Sequence, residues 1–211
     1  MSVAAVREDL LHAARRCGLE LGDEAVAKLA TYVATLLLWR TRMSLTAAST
    51  AAEIVQQHVA DSFAVLPHLP NGCCVADLGS GAGFPGVVLA ITRPDAQVAL
   101  IEARRKRASF LREVLRQAAI TNAQVIEARV EALPQELIGT FDVVTSRAFG
   151  PVSEFLALSR PLLRPGGVAI AMKGPKGRDE SKAQTGFDGP EIATYALEPH
   201  GQRLLLKYTR A

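Results

Sequence analysis

The chain has 211 residues, 49% of them apolar, and a formal net charge of +3. That length holds one α/β domain of usual size with a small appendage, and the apolar share is enough for a sizeable core. No apolar run reaches the roughly eighteen residues of a membrane span, and neither Cys17, Cys73 and Cys74 nor the scattered His12, His58, His68 and His200 has metal-ligand spacing, which argues against an anchored or zinc-built protein and leaves a cytoplasmic one with reduced thiols expected.

Val3, Val6, Leu10, Leu11 and Ala14 recur at helical spacing, and Gly18 supplies a stop. Asp23 is expected to cap a second helix whose buried stripe is Val26, Leu29, Val33, Leu36 and Leu37, up to Trp39. Thr50-Ala51-Ala52-Glu53 reads as a capping box that opens a third helix with Ile54, Val55, His58, Val59 and Phe63 on or near one face. Pro67 and Pro70 close the region. Residues 1–70 are therefore expected to form a helical extension, and 71–211 the main domain.

From Cys73 onward strands alternate with helices. The pattern predicts strand 73–78, helix 86–92, strand 97–102, helix 104–119, strand 123–127, a short helix near 131–137, strand 141–146, helix 152–163 and strand 167–172. Such alternation demands crossovers on both faces of a mostly parallel sheet, with ligands at the carboxyl ends of the strands. Lys173 to Pro190, rich in Gly, Lys and Pro, is expected to be a long loop. Ile192–Leu197 and Arg203–Tyr208, flanking Pro199-His200-Gly201-Gln202, suggest a closing antiparallel hairpin.

The stretch organising this pattern is Val75-Ala76-Asp77-Leu78-Gly79-Ser80-Gly81-Ala82-Gly83-Phe84-Pro85-Gly86, a strand that ends in a glycine-dense turn before a helix. Glycines permit positive φ and close approach of a ligand to the backbone. Gly81-x-Gly83-x-x-Gly86 also fits a dinucleotide fingerprint, which leaves an NAD-dependent oxidoreductase as an alternative. Two acids argue otherwise. Asp77 ends the first strand beside the loop, where a pyrophosphate gains nothing from a negative charge, and Glu102 ends the second, where a carboxylate can accept ribose hydroxyls. A cationic, phosphate-free adenosine, S-adenosylmethionine, satisfies both, with Asp77, Gly79, Gly81, Gly83 and Glu102 around it. The expected fold is thus an α/β, Rossmann-like S-adenosylmethionine-dependent methyltransferase with a mostly parallel seven-stranded sheet, a C-terminal antiparallel hairpin and the N-terminal helices.

With these residues in place the chain resembles the glucose-inhibited division protein B family, the small-subunit ribosomal RNA guanine-N7 methyltransferases. The resemblance lies in Trp39-Arg40-Thr41-Arg42-Met43-Ser44-Leu45-Thr46, His58-Val59-Ala60-Asp61-Ser62, Asp77 to Gly86 with its Phe84-Pro85-Gly86 ending, Ser146-Arg147-Ala148-Phe149 and Lys173-Gly174. Arg40, Ser44 and Gln57 depart from the family pattern. The resemblance implies methyl transfer to a guanine N7 in the decoding region of small-subunit (16S) ribosomal RNA, with the RNA or the 30S subunit as partner. It also implies that Gly79 and Phe84 line the cofactor site, with Val130 and Glu131 near the adenine and Arg147 at the mouth.

Read from the residues alone, Glu131 equally suits a helix N-terminal charge. Arg147 suits the cofactor carboxylate, an RNA phosphate or an ion pair with a nearby acid. Phe149 suits either stacking on an extruded base or the core. No general base is nominated, since guanine N7 carries no proton. Arg40, Arg42, Arg104, Arg105, Lys173 and Lys176 form the expected RNA surface, because cations at a helix start oppose its dipole unless a polyanion meets them. A monomer without metal is expected. A non-catalytic nucleic-acid-binding module on the same fold is the remaining alternative.

Overall fold

The computed structural model describes residues 3–211; Met1 and Ser2 of the expected extension, and the side chains of Val3 and Ala4, lie outside the described residues. Helix α1 (Val3–Arg16) and helix α2 (Asp23–Arg40) open the chain. Asp23 is not the cap: Gly22 takes that position without a side-chain bond, so Asp23 and Glu24 instead place negative charge in the first turn, where the helix dipole favours it. The capping box does form, with Thr50 accepting from the Glu53 amide and the Glu53 carboxylate returning to Thr50. Helix α3 (Ala51–Ile54) runs through a π-helical turn (Val55–Val59) into α4 (Ala60–Phe63). Such turns shift the face a helix presents and are common at functional sites.

The sheet has seven strands in the order β3-β2-β1-β4-β5-β7-β6. Strands β1 (Cys74–Leu78), β2 (Gln97–Ile101), β3 (Ala123–Ile126), β4 (Phe141–Arg147) and β5 (Leu163–Lys173) pair in parallel, and β6 (Phe187–Ala196) and β7 (Gln202–Arg210) close it antiparallel. Helices α5 (Gly86–Thr92), α6 (Arg105–Gln117) and α7 (Val152–Ser159) supply the crossovers. The order reverses between β1 and β4, which opens the ligand crevice at the ends of those two strands.

Local differences from the sequence reading have physical reasons. The helix expected near 131–137 is two 3-10 turns, Val130–Ala132 and Gln135–Leu137, separated by Pro134. Helix α7 stops at Ser159, and β5 begins at Leu163, well before the glycine pair Gly166-Gly167. The expected loop at 173–190 holds a 3-10 turn (Pro175–Glu180) and the start of β6, whose register shifts between Asp188 and Glu191. A bulged edge strand with mostly exposed residues leaves no apolar period to read.

The N-terminal helices and one sheet face share a single apolar cluster that includes Leu10, Leu29, Tyr32, Val33 and Ile54 together with Val75, Val87, Leu100 and Leu205. Phe155, Leu156 and Leu163 help cover the other face with Ala76, Leu78 and Val144. Arg93 links the two regions, bonding the Leu69 and Pro70 carbonyls while paired with Asp95.

Candidate active site

The glycine loop after β1 is held from below by both acids. Gly79 and Gly83 stand at φ +68° and +99°, conformations that L side chains rarely adopt. The Gly79 and Ser80 amides donate to the Ile101 carbonyl, and the Gly83 amide donates to Ser80. The Gly81 amide donates to Glu102 Oε2 at 2.9 Å and the Gly86 amide to Asp77 Oδ2 at 3.1 Å. At Gly86 a Cβ would sit 2.6 Å from Asp77 Oδ2, so only glycine lets the start of α5 approach the carboxylate.

Asp77 is completely buried, and its Oδ1 has no hydrogen-bond partner. Burial pushes its pKa up to about 6, with the Gly86 and Ser80 bonds and the Arg147 charge acting against the rise. The carboxylate expected to meet a cationic ligand thus turns under the loop. Glu102 is 4% exposed and accepts from Gly81 with one oxygen and from the Arg104 amide, at 2.8 Å, with the other.

Beside this loop lies a cleft of about 390 Å³ lined by Gly79, Glu102, Arg107, Arg129, Val130, Glu131, Ala148, Phe149 and Glu154, among others. Its size falls within the range of small-ligand sites. Gly79, Glu102, Val130 and Glu131 therefore come together as expected positions around one cavity. Phe149 leans edge-on against Phe155, with ring centroids 6.3 Å apart, and lies over Gly79. It belongs partly to the core and partly to the cleft wall.

Gly83, Phe84 and Arg147 face the other way. Phe84 is buried against Tyr32 and His58, with ring centroids 5.2 and 4.9 Å away. The Tyr32 hydroxyl donates to the Ala82 carbonyl at 2.6 Å and fixes the loop to α2. The Arg147 guanidinium lies 4.8 Å over the Phe84 ring, donates to His58 Nδ1 at 2.9 Å and stands 3.6 Å from Asp61. Since Arg147 has no acceptor to offer, His58 Nδ1 must accept, which assigns the proton to Nε2 and directs it at Thr46 Oγ1, 2.6 Å away. Burial first, and Arg147 second, lower the His58 pKa to about 4, in agreement with a neutral ring. Asp61 also accepts from the Tyr195 hydroxyl at 2.7 Å, tying the hairpin to the helices. His58 and Asp61, three residues apart, project from one face at the π-helical turn.

These groups border a second cavity of about 310 Å³, formed by the π-helical turn, the ends of β4 and β5, and the hairpin. Arg147, Lys173, Tyr195 and Arg203 are among its walls. Ala148, a non-glycine residue at φ +59°, lines both cavities.

The basic residues sort by partner. Arg7, Arg16, Lys28, Arg93, Arg112, Arg116, Arg164 and Lys207 are ion-paired. Arg104, Arg105 and Lys106, exposed at the start of α6, have no side-chain bond among the described residues, nor do Arg40 and Arg42 at the end of α2. Trp39 against Phe110, centroids 5.8 Å apart, sets these two helices side by side. Lys176 is exposed, but Lys173 is not the surface cation expected: its side chain is 13% exposed and clamps the Gly150 carbonyl at 2.6 Å and Glu180 at 3.1 Å. Among the described residues no helix is long and apolar enough to cross a membrane, and no group of three His, Cys, Asp or Glu is placed to hold a metal.

The parallel sheet with its antiparallel end, and a cleft at the β1–β4 reversal, define an S-adenosylmethionine-dependent methyltransferase fold. Solved structures share it: a putative O-methyltransferase from Klebsiella pneumoniae (TM-score 0.63, 19% identity, 98% of this chain and 97% of that one) and a SAM dependent methyltransferase from Aquifex aeolicus (0.55, 15%, 75% and 93%). Residues 25–187 match the GidB family, rRNA small subunit methyltransferase G, and the chain belongs to that family. Ribosomal RNA small subunit methyltransferase G of Methylobacillus flagellatus is 44% identical over 79% of this chain and 80% of its own length. That of Sorangium cellulosum is 37% identical over 90% and 82%.

Proposed function

We propose that this chain transfers a methyl group from S-adenosylmethionine to N7 of a guanine in the decoding region of small-subunit ribosomal RNA. The carrying observation is the pair of cavities that share Ala148 in their walls, one beside the acid-anchored glycine loop and one walled by cations. The amides that would cradle a pyrophosphate are already engaged: Gly81 with Glu102, Gly86 with Asp77, and Gly79 and Ser80 with Ile101. A loop whose donors face its own acids suits a nucleoside without phosphate and speaks against NAD.

Glu102 would hold the cofactor, since each of its oxygens has a lone pair left for a ribose hydroxyl. Gly79, Val130 and Glu131 complete that wall. Bound there, the cofactor supplies an electrophilic sulfonium methyl. Guanine N7 is a hydrogen-bond acceptor without a proton, so the chain's task is to align the base and not to deprotonate it. Phe149 lies over Gly79 in the wall of the cleft that Ala148 also lines, where a ring can bear on an extruded base. The cations Arg104, Arg105, Arg40 and Arg42, which make no side-chain bond among the described residues, offer the RNA backbone a basic edge, and the affinity they confer falls with salt. Incubation with methyl-labelled cofactor and small subunits lacking the modification should label the ribosomal RNA. Label that goes only to a small molecule would remove RNA from this account.

A further inference from the structure

One cation in the second cavity has no hydrogen-bonded or ion-paired partner among the described residues. Arg203 pairs with Tyr195 across the β6–β7 ladder, so both side chains emerge on the hairpin face turned toward the π-helical turn. Its guanidinium lies along Gly174, where a Cβ would come within 3.4 Å of Nη1. Arg203 Nε is shut off from solvent and has no hydrogen-bond partner, and among the described residues the side chain makes no ion pair. Leaving a buried donor unsatisfied costs on the order of 1–3 kcal/mol, so the guanidinium is held at a cost in the wall of a cavity that an acceptor from outside can enter.

The charge of that acceptor follows from the cavity wall. Arg147, Lys173 and Arg203 face a single carboxylate, Asp61. Asp61 is already shared by Tyr195 and Arg147, and Lys173 is held by Gly150 and Glu180. Of the three, Arg203 is the one whose side chain makes no hydrogen bond or ion pair among the described residues. We propose that Arg203 binds a phosphate of the acceptor nucleotide, holding it by its backbone while its base lies at Ala148, which lines both cavities. This rests on the RNA reading above and adds the group that holds the substrate. The guanidinium fork matches two phosphate oxygens, and such a contact positions a nucleotide without reading its sequence. The cofactor's carboxylate has related chemistry, and the test separates the two.

The test uses the full chain, its Arg203→Gln and Arg203→Lys variants, unmodified small subunits and labelled S-adenosylmethionine. Loss of one phosphate contact should make the slope of log affinity for the subunit against log salt shallower by about 0.7 in Arg203→Gln. Misplacement of the acceptor should also lower kcat at saturating subunit roughly tenfold. Arg203→Lys should restore the slope but only part of kcat, because an ammonium is a point charge. Circular dichroism and a urea unfolding midpoint like those of wild type show that the variants are folded, and calorimetric affinity for the cofactor is expected to be unchanged. An unchanged slope and kcat overturn the assignment, as does a changed slope with unchanged kcat, which places the contact away from the acceptor. Weakened cofactor affinity in a folded Arg203→Gln overturns it in favour of the cofactor carboxylate. Wild-type enzyme that transfers no methyl group to the subunits overturns the RNA reading, and this assignment with it.

Discussion

Asp77→Asn separates what the buried carboxylate does for the site from what it does to stability. Asp77 is wholly buried with one oxygen unpartnered, and its pKa is raised to about 6 from an ordinary 3.8. A raised carboxylate pKa means that the folded state binds the proton more tightly than the unfolded chain. The resulting stabilisation is fully present below the unfolded value and is lost as pH rises through the folded one. A shift of about two units, at 1.36 kcal/mol each, gives roughly 2 kcal/mol lost between pH 4 and pH 7. The amide introduced by Asp77→Asn cannot titrate, and the fixed cost of burying it cancels when the two pH values are compared. Urea unfolding of both proteins at pH 4 and pH 7 should therefore show wild type losing roughly 2 kcal/mol relative to Asp77→Asn as pH rises. Parallel pH dependences would refute the reading of Asp77 as a carboxylate held ionised at a cost.

Three other outcomes follow from the same geometry. Glu102→Gln removes the charge that receives two backbone amides, and calorimetric affinity for S-adenosylmethionine should fall about tenfold or more with the fold retained. Tyr195→Phe deprives buried Asp61 of its 2.7 Å donor and should lower stability by about 1–2 kcal/mol in urea titrations. Neutralising Arg104 and Arg105 together should flatten the salt dependence of subunit binding by about 1.4 in slope, measured by filter retention, with cofactor affinity unaltered.

The strand-turn-helix unit around the glycines was legible because its signals are local: an apolar run, glycines where φ must be positive, and acids at two strand ends. The N-terminal helices and the Thr50 capping box were legible for the same reason. Side-chain direction was not. In a strand buried on both faces, alternation does not say which way Asp77 turns, and Phe84 lies in the glycine loop, where no period applies; Asp77 lies beneath the loop and Phe84 behind it. Lys173 looked like a surface cation because Glu180, its partner, comes from a turn with no sequence period. The network of His58, Asp61, Arg147 and Tyr195 joins residues as far as 134 positions apart, and only the His-x-x-Asp spacing on one helix hinted at it. Arg203, too, becomes meaningful only when the hairpin is laid against the helices.

The most direct measurement locates the methyl group. Small-subunit RNA methylated by this enzyme is reduced with borohydride and treated with aniline, which breaks the chain at N7-methylated guanines. Scission at a single guanine of the decoding region is the expected result, and labelled RNA that resists scission contradicts transfer to N7.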